Sequence, residues 1–357
     1  MDKNNRKEKG RTVQEENPTH TGWTNKKTLQ ALWKWFKRFA SRHQGLLVLI
    51  VIFILAVIFS PVSRKGHLIF LMPGNLTDLL RSMAPVAVMG LAMTLVIITG
   101  GIDLSIGSTV ALTGVIVAML LQWWTPDLSI PLHIAVALVL TLMAGAAVGF
   151  LQGIIIANFG IQPFIVTLAG MIGLRGLSRW IVNNERVGLG LGDDVSGRFG
   201  EWFSSKEFML GSFLVAAIMF GILLHKTVFG RYVRAVGGNT QASRYAGLPI
   251  KRIQVAVYTL MGMMAGFAGI LLAARTTTGD PNTGIGMELD VISVAAIGGT
   301  SLAGGIGTIP GTVIGAMIVG ILTNILGLNN VDFNIQRVTM AVIILLAVAS
   351  QQKRRKD

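Results

Sequence analysis

Between its charged residues the chain runs apolar for long distances, and about 20 consecutive apolar residues are what a membrane-spanning helix requires. Runs without Lys, Arg, Asp or Glu extend over His43–Ser63, Ser82–Ile102, Leu104–Pro126, Phe208–His225 and Ile253–Ala274. Two further runs, Leu128–Leu174 and Val291–Val331, are 47 and 41 residues long, so each is expected to fold back as two spans. A last run, Val338–Gln352, is shorter and bounded by charge. The pattern predicts about ten transmembrane helices, the fifth of which must continue past Arg175 and Arg179 to reach full length.

Composition agrees with this pattern. Of 357 residues 52% are hydrophobic and 13% are charged, whereas charged residues make up about a quarter of a soluble domain. There is no cysteine, which excludes disulfide scaffolds, thiolate zinc sites and cysteine nucleophiles.

A net charge of +14 on so apolar a chain is confined to a few segments. Residues 1–44 carry eleven Lys or Arg against four acids, residues 226–252 six against none, and the tail after Gln352 four against one. Lys and Arg accumulate on the cytoplasmic side. With ten spans and the N-terminus inside, all three segments fall on that face, and the acidic loop 183–209 falls outside. The loop between the first two spans, with Arg64, Lys65 and Arg81 against Asp78, runs against the bias. The expected organisation is a basic cytoplasmic segment 1–44, a transmembrane domain 45–350 interrupted by a cytoplasmic loop 226–252, and a basic cytoplasmic tail 351–357. In the first segment Lys34, Lys37, Arg38 and Arg42 interleave with Trp33, Trp35 and Phe36. Beside a span, that pattern predicts an interfacial helix on anionic membrane lipid rather than a nucleic-acid site. No cleavage site marks it as a signal peptide.

Catalytic constellations are missing. The five histidines, His20, His43, His67, His133 and His225, show no ligand spacing, so no metal site is expected. Gly190-Leu191-Gly192-Asp193 matches the GxGD pattern of intramembrane proteases, but it lies in a polar loop beside Asp194 and Arg198, not at membrane depth where a carboxylate must work. No phosphate-binding loop occurs; if ATP drives this protein, another chain hydrolyses it.

The intramembrane glycines say more. Gly100-Gly101-Ile102-Asp103-Leu104-Ser105-Ile106-Gly107 and Gly298-Gly299-Thr300-Ser301-Leu302-Ala303-Gly304-Gly305 both read GG-x-x-L-x-x-G, 198 residues apart. Six helices separate them, giving both the same direction, as in a parallel internal repeat. Paired glycines weaken a helix, and broken helices at membrane depth occur where protein or a water-filled cavity satisfies the freed backbone. Gly100, Gly101, Gly107, Gly298, Gly299 and Gly305 are therefore candidate helix breaks. Asp103 is either a cap for the helix that follows or an intramembrane carboxylate on a polar pathway. In the basic loop, Asn239 and Gly247 bracket a short helix as N-cap and stop signal, with Pro249 beyond, in the form of a helix presented to a cytoplasmic partner.

At this point the chain resembles the membrane permeases of bacterial ABC importers of the ribose, xylose, arabinose and galactoside type, from about Asn75 to Leu346. The most specific segment is Thr94–Ser108, TLVIITGGIDLSIGS. Pro163-Phe164-Ile165-Val166-Thr167-Leu168, then Met171 and Arg175-Gly176-Leu177, match a second family segment. Gly237-Gly238-Asn239 through Gly247 resembles the family's ATPase-coupling segment, with Gln241 in place of its glutamate and Ser243 in place of an alanine. The resemblance implies Gly238, Asn239, Gln241, Ala242, Arg244 and Gly247 as ATPase-coupling residues, and Arg231, a cation of the same unbalanced basic loop, is a further candidate for that contact. It also implies ATP-binding cassette subunits that hold ATP and Mg, an extracytoplasmic sugar-binding protein, a second permease copy, and no cofactor on this chain. Thr94, Thr99, Asp103, Ser105, Gln152, Asn158, Thr167 and Arg175 are the candidates for hydrogen bonding along a translocation pathway. The competing readings are a permease of the same superfamily for nucleosides, a signalling sugar or branched-chain amino acids, and an ion-driven secondary transporter. The expectation is an all-α, multi-pass protein of the bacterial inner membrane, both termini cytoplasmic, that transports rather than catalyses.

Overall fold

The computed structural model describes residues 44–354 and is helical almost throughout. The interfacial helix expected before Gln44 and the end of the basic tail lie outside the described residues. Thirteen α-helices are present there. The first five are α1 (Gln44–Ile58), α2 (Pro73–Ile98), α3 (Ile106–Gln122), α4 (Ile130–Phe159) and α5 (Pro163–Ile181). Next come α6 (Val195–Ser204), α7 (Lys206–Lys226), α8 (Val228–Gly238), α9 (Thr240–Tyr245) and α10 (Ile250–Thr276), then α11 (Met287–Ile297), α12 (Ile309–Leu328) and α13 (Phe333–Arg354). A two-residue strand β1 (Val187–Gly188) pairs antiparallel with β2 (Thr278–Gly279), in the register Val187 to Gly279.

Among the described residues six helices, α2, α4, α5, α7, α10 and α12, are long and apolar enough to cross a membrane. Each of the ten expected spans contains a helix, but the lengths differ from expectation. The run Val291–Val331 does not hold two full helices. Its first member, α11, has 11 residues and stops at Ile297, because Gly298 and Gly299 follow at once. The fifth span does pass Arg175 and Arg179, whose side chains turn to neighbouring loop oxygens. Asp78 and Arg81, counted with the first loop by sequence, belong to the opening turns of α2. Residues 226–252 are mostly helical as α8 and α9.

The centre of the bundle is α2, 83% of whose most apolar stretch is buried, while the corresponding figure for α5 is 17%. Around α2 pack α7, α10, α11 and α12. The closest pair is α4 with α10. Gly145, Gly149 and Gly153, spaced four apart, form one face of α4, where a Cβ on Gly149 would overlap the Tyr258 carbonyl of α10. Small residues at this spacing let two backbones touch in a solvent that gives no hydrophobic drive to helix association.

Charge separates along the bundle. At one end stand α8 and α9 with their unbalanced cations. At the other, acids meet cations in the pairs Arg186–Asp280 (2.8 Å), Arg198–Asp193 (2.6 Å) and Arg337–Asp290 (2.8 Å).

Candidate functional site

Two helices of the bundle stop at glycines in the same way. The last turn of α2 closes when Gly100 N–H donates to the Ile97 carbonyl (2.9 Å) and Gly101 N–H to that of Val96 (3.0 Å). At the end of α11, Gly299 N–H donates to Ala296 (2.9 Å) and Thr300 N–H to Ala295 (3.0 Å). The pivots, Gly100 and Gly299, have φ of +83° and +91°, a region that a side chain disfavours. The matching positions are thus 199 apart, one residue out of step with the sequence motif: Gly298 is the last cap residue of α11 and Gly299 the turning point. Gly107 is not a break. It lies in the first turn of α3 and packs on the Gly284 carbonyl.

The breaks meet each other and the basic segment. Gly305 N–H, from the loop after α11, donates to the Ile98 carbonyl at the end of α2 (2.8 Å). Gly237, in the last turn of α8, abuts the same carbonyl so closely that a Cβ would collide with it. Three main chains therefore share one junction, immediately before α9.

Asp103, Ser105, Gln152 and Thr167 come together beside the first break, all buried. The Asp103 carboxylate accepts the Ser105 N–H (2.8 Å) and hydroxyl (2.7 Å), and the Ser105 oxygen accepts from Gln152 Nε2 (2.8 Å). Thr167 donates to the carbonyls of Pro163 (3.0 Å) and Ile102 (3.2 Å). Ser108, not singled out by sequence, donates to the Met171 carbonyl (2.7 Å). This polar knot ties the start of α3 to α4 and α5. Asp103 orders the turn entering α3 through Ser105; α3 starts at Ile106, two residues later than a helix capped by Asp103 at Leu104, and Ser105, not Asp103, is its N-cap residue. The buried Tyr258 hydroxyl of α10 lies against Gly101, with no hydrogen-bond partner among the described residues. A tyrosine in a long apolar run was its available sequence signal.

The other candidates lie apart. Thr94 bridges α2 to Thr312 of α12 (2.6 Å). Thr99 returns its hydroxyl to Val96 (2.8 Å) at the first break. Asn158 is exposed on α4. Arg175 holds the Pro281 and Thr283 carbonyls (2.7 Å each), at the end of the bundle away from α9.

In α9 the Asn239 side chain accepts the Ala242 N–H (2.9 Å). Gly247 N–H donates to Arg244 (3.0 Å) and Leu248 N–H to Ser243 (3.1 Å), with Gly247 at φ +74°. Both ends are closed by the signals the sequence supplied. Only Ser243 of α9 is buried; Gln241, Ala242, Arg244 and Tyr245 are exposed, as is Arg231 on α8.

In the GxGD segment, Asp193 is exposed and paired with Arg198, and Asp194 caps α6 by accepting the Gly197 N–H (2.6 Å).

A bundle of apolar helices, two of them halted by glycines whose freed backbone is satisfied by protein, has the construction of a membrane transporter. The chain belongs to the family described as branched-chain amino acid transport system / permease component, whose model matches residues 75–349. It is similar to the ribose import permease protein RbsC of Escherichia coli K12, with 39% identity over 315 residues, 86% of this chain and 93% of that one. It is also similar to the L-arabinose ABC transporter permease protein AraH of Azospirillum brasilense, with 40% identity over 292 residues, 81% and 83% of the two chains. The L-arabinose transport system permease AraH of Escherichia coli K12 shares 35% over 334 residues, 90% and 93%. No solved structure matches the chain significantly. Family and apolar helices together make it a multi-pass protein of the bacterial cytoplasmic membrane and a permease of the sugar ABC importer type.

Proposed function

We propose that the chain forms the translocation pathway of an ATP-driven importer for a monosaccharide, a pentose or hexose. A separate extracytoplasmic protein delivers the sugar, and separate ATPase chains carry ATP and Mg. The observation that carries this reading is the similarity to ribose and arabinose permeases over more than four-fifths of both chains. In this reading two permease copies, identical or related, enclose the pathway, residues 45–350 are the transmembrane domain, and α9 is the ATPase contact. Arg231, Gly238, Asn239, Gln241, Ala242, Arg244 and Gly247 form or shape that contact.

Force applied to α9 reaches the bundle through α8. Because Gly237 touches the Ile98 carbonyl that Gly305 also engages, displacement of α8 moves the end of α2 and the loop that follows α11. The knot of Asp103, Ser105, Gln152 and Thr167 then holds α3, α4 and α5 as one wall of the pathway, and Thr94 and Thr312 lock α2 to α12. Arg175, gripping the loop after β2, sets the opposite mouth, where the sugar is handed over. Neutral, hydrated cargo needs only transient hydrogen bonds, and Thr99 supplies one near the basic end.

The test is uptake of labelled ribose, arabinose and xylose into proteoliposomes containing the permease, its ATPase and its binding protein. Accumulation should require ATP inside and survive a protonophore. Uptake that persists without the ATPase and collapses with the protonophore would establish an ion-driven transporter instead.

A further inference from the structure

We propose that a cleft beside the α4–α10 seam is a binding site for one anionic phospholipid of the leaflet at the α9 end. The cleft is open to one side and offers about 690 Å³, within the roughly 300–1,000 Å³ of ligand sites. Phe150 and Ile154 of α4, Val255 and Leu260 of α10, Leu223 of α7 and Phe229 of α8 form its walls. These side chains are half-buried or exposed, so the cleft opens sideways from the bundle. Its polar groups collect at one rim: Lys251 and Arg252, in the first turn of α10, and Asn158 near the end of α4.

The two ends of the cleft demand different chemistry of one occupant. The rim offers two exposed cations, and the surrounding segment 226–252 contains no acid to neutralise them. Basic pockets between membrane helices hold anionic headgroups. Deeper in, Thr259 supplies a hydroxyl, but it already donates to the Val255 carbonyl (2.8 Å). A sugar would find almost nothing to hydrogen-bond there, whereas an acyl chain asks for nothing. An apolar helix of a second copy would cover the walls and leave Lys251 and Arg252 unpaired. A phosphate joined to a hydrocarbon chain satisfies both ends.

The experiment is native mass spectrometry of the full-length chain in detergent, titrated with phosphatidylglycerol or phosphatidylcholine. One phosphatidylglycerol should bind in preference. Lys251→Gln with Arg252→Gln should weaken that binding about 25-fold, since each cation near a membrane surface contributes about a factor of five. Ala256→Trp, which fills the cleft, should displace either lipid, while Lys206→Gln at the opposite end should change nothing. Equal binding of the two lipids by the unaltered chain, or a preference that survives the double substitution, would overturn the proposal. So would a photoreactive group at position 150 that crosslinks a second copy of the chain instead of lipid.

Discussion

Asp103 shows how much a residue's type reveals and how much only its neighbours can. A carboxylate in an apolar run was legible as a cap or as a pathway group. Its link to Gln152 was not, because that link runs through Ser105, which lies 47 residues from Gln152. The hydrogen bonds make opposite predictions for two substitutions. Asp103→Asn retains an oxygen for the Ser105 N–H and should fold normally. Asp103→Ala leaves that buried N–H without a partner and should cost about 1–3 kcal/mol, read as a lower melting temperature in detergent. Loss of uptake in the normally folded Asn variant would show that the carboxylate itself serves the pathway. Gly237 offers a second comparison. A Cβ there collides with the Ile98 carbonyl, whereas one on Gly238 meets nothing. Gly237→Ala should destabilise by about 1–3 kcal/mol, as forced overpacking does, and Gly238→Ala by less. Thermal unfolding of the two variants side by side decides it.

For helices and breaks, the sequence spoke clearly wherever charge or caps marked a boundary. Asn239 and Gly247 located α9 to the residue. The shortness of α11 escaped charge counting because the whole run Val291–Val331 is uncharged; the glycine pair was the better guide. Even there the repeat register came out one residue off, since either glycine of a pair satisfies a motif but only one takes positive φ. If α9 is the ATPase contact, its caps and its exposed face should fail differently. Asn239→Ala should destabilise the helix by about 0.5–2 kcal/mol and reduce co-purification of the ATPase. Arg244→Glu and Tyr245→Ala change side chains that contact little of this chain, so melting should stay unchanged while ATPase binding falls.

At the scale of the whole bundle the charge of the described residues forms an axis. The cations of 226–252 stand at one end and ion-paired acids at the other. The absence of cysteine makes this directly testable with single introduced thiols. Gln241→Cys should react with a membrane-impermeant maleimide only in inside-out vesicles, and Glu201→Cys only in right-side-out ones. The same pattern from both would refute the orientation. The bundle's internal joints were beyond the sequence, because the contact of Gly237, Ile98 and Gly305 is made by main-chain atoms from three distant segments. That has a consequence for how such a protein can change. A joint of peptide groups carries no chemical preference for any cargo, so the side chains lining the route are free to be exchanged for those suiting another sugar while the lever that moves them stays in tune.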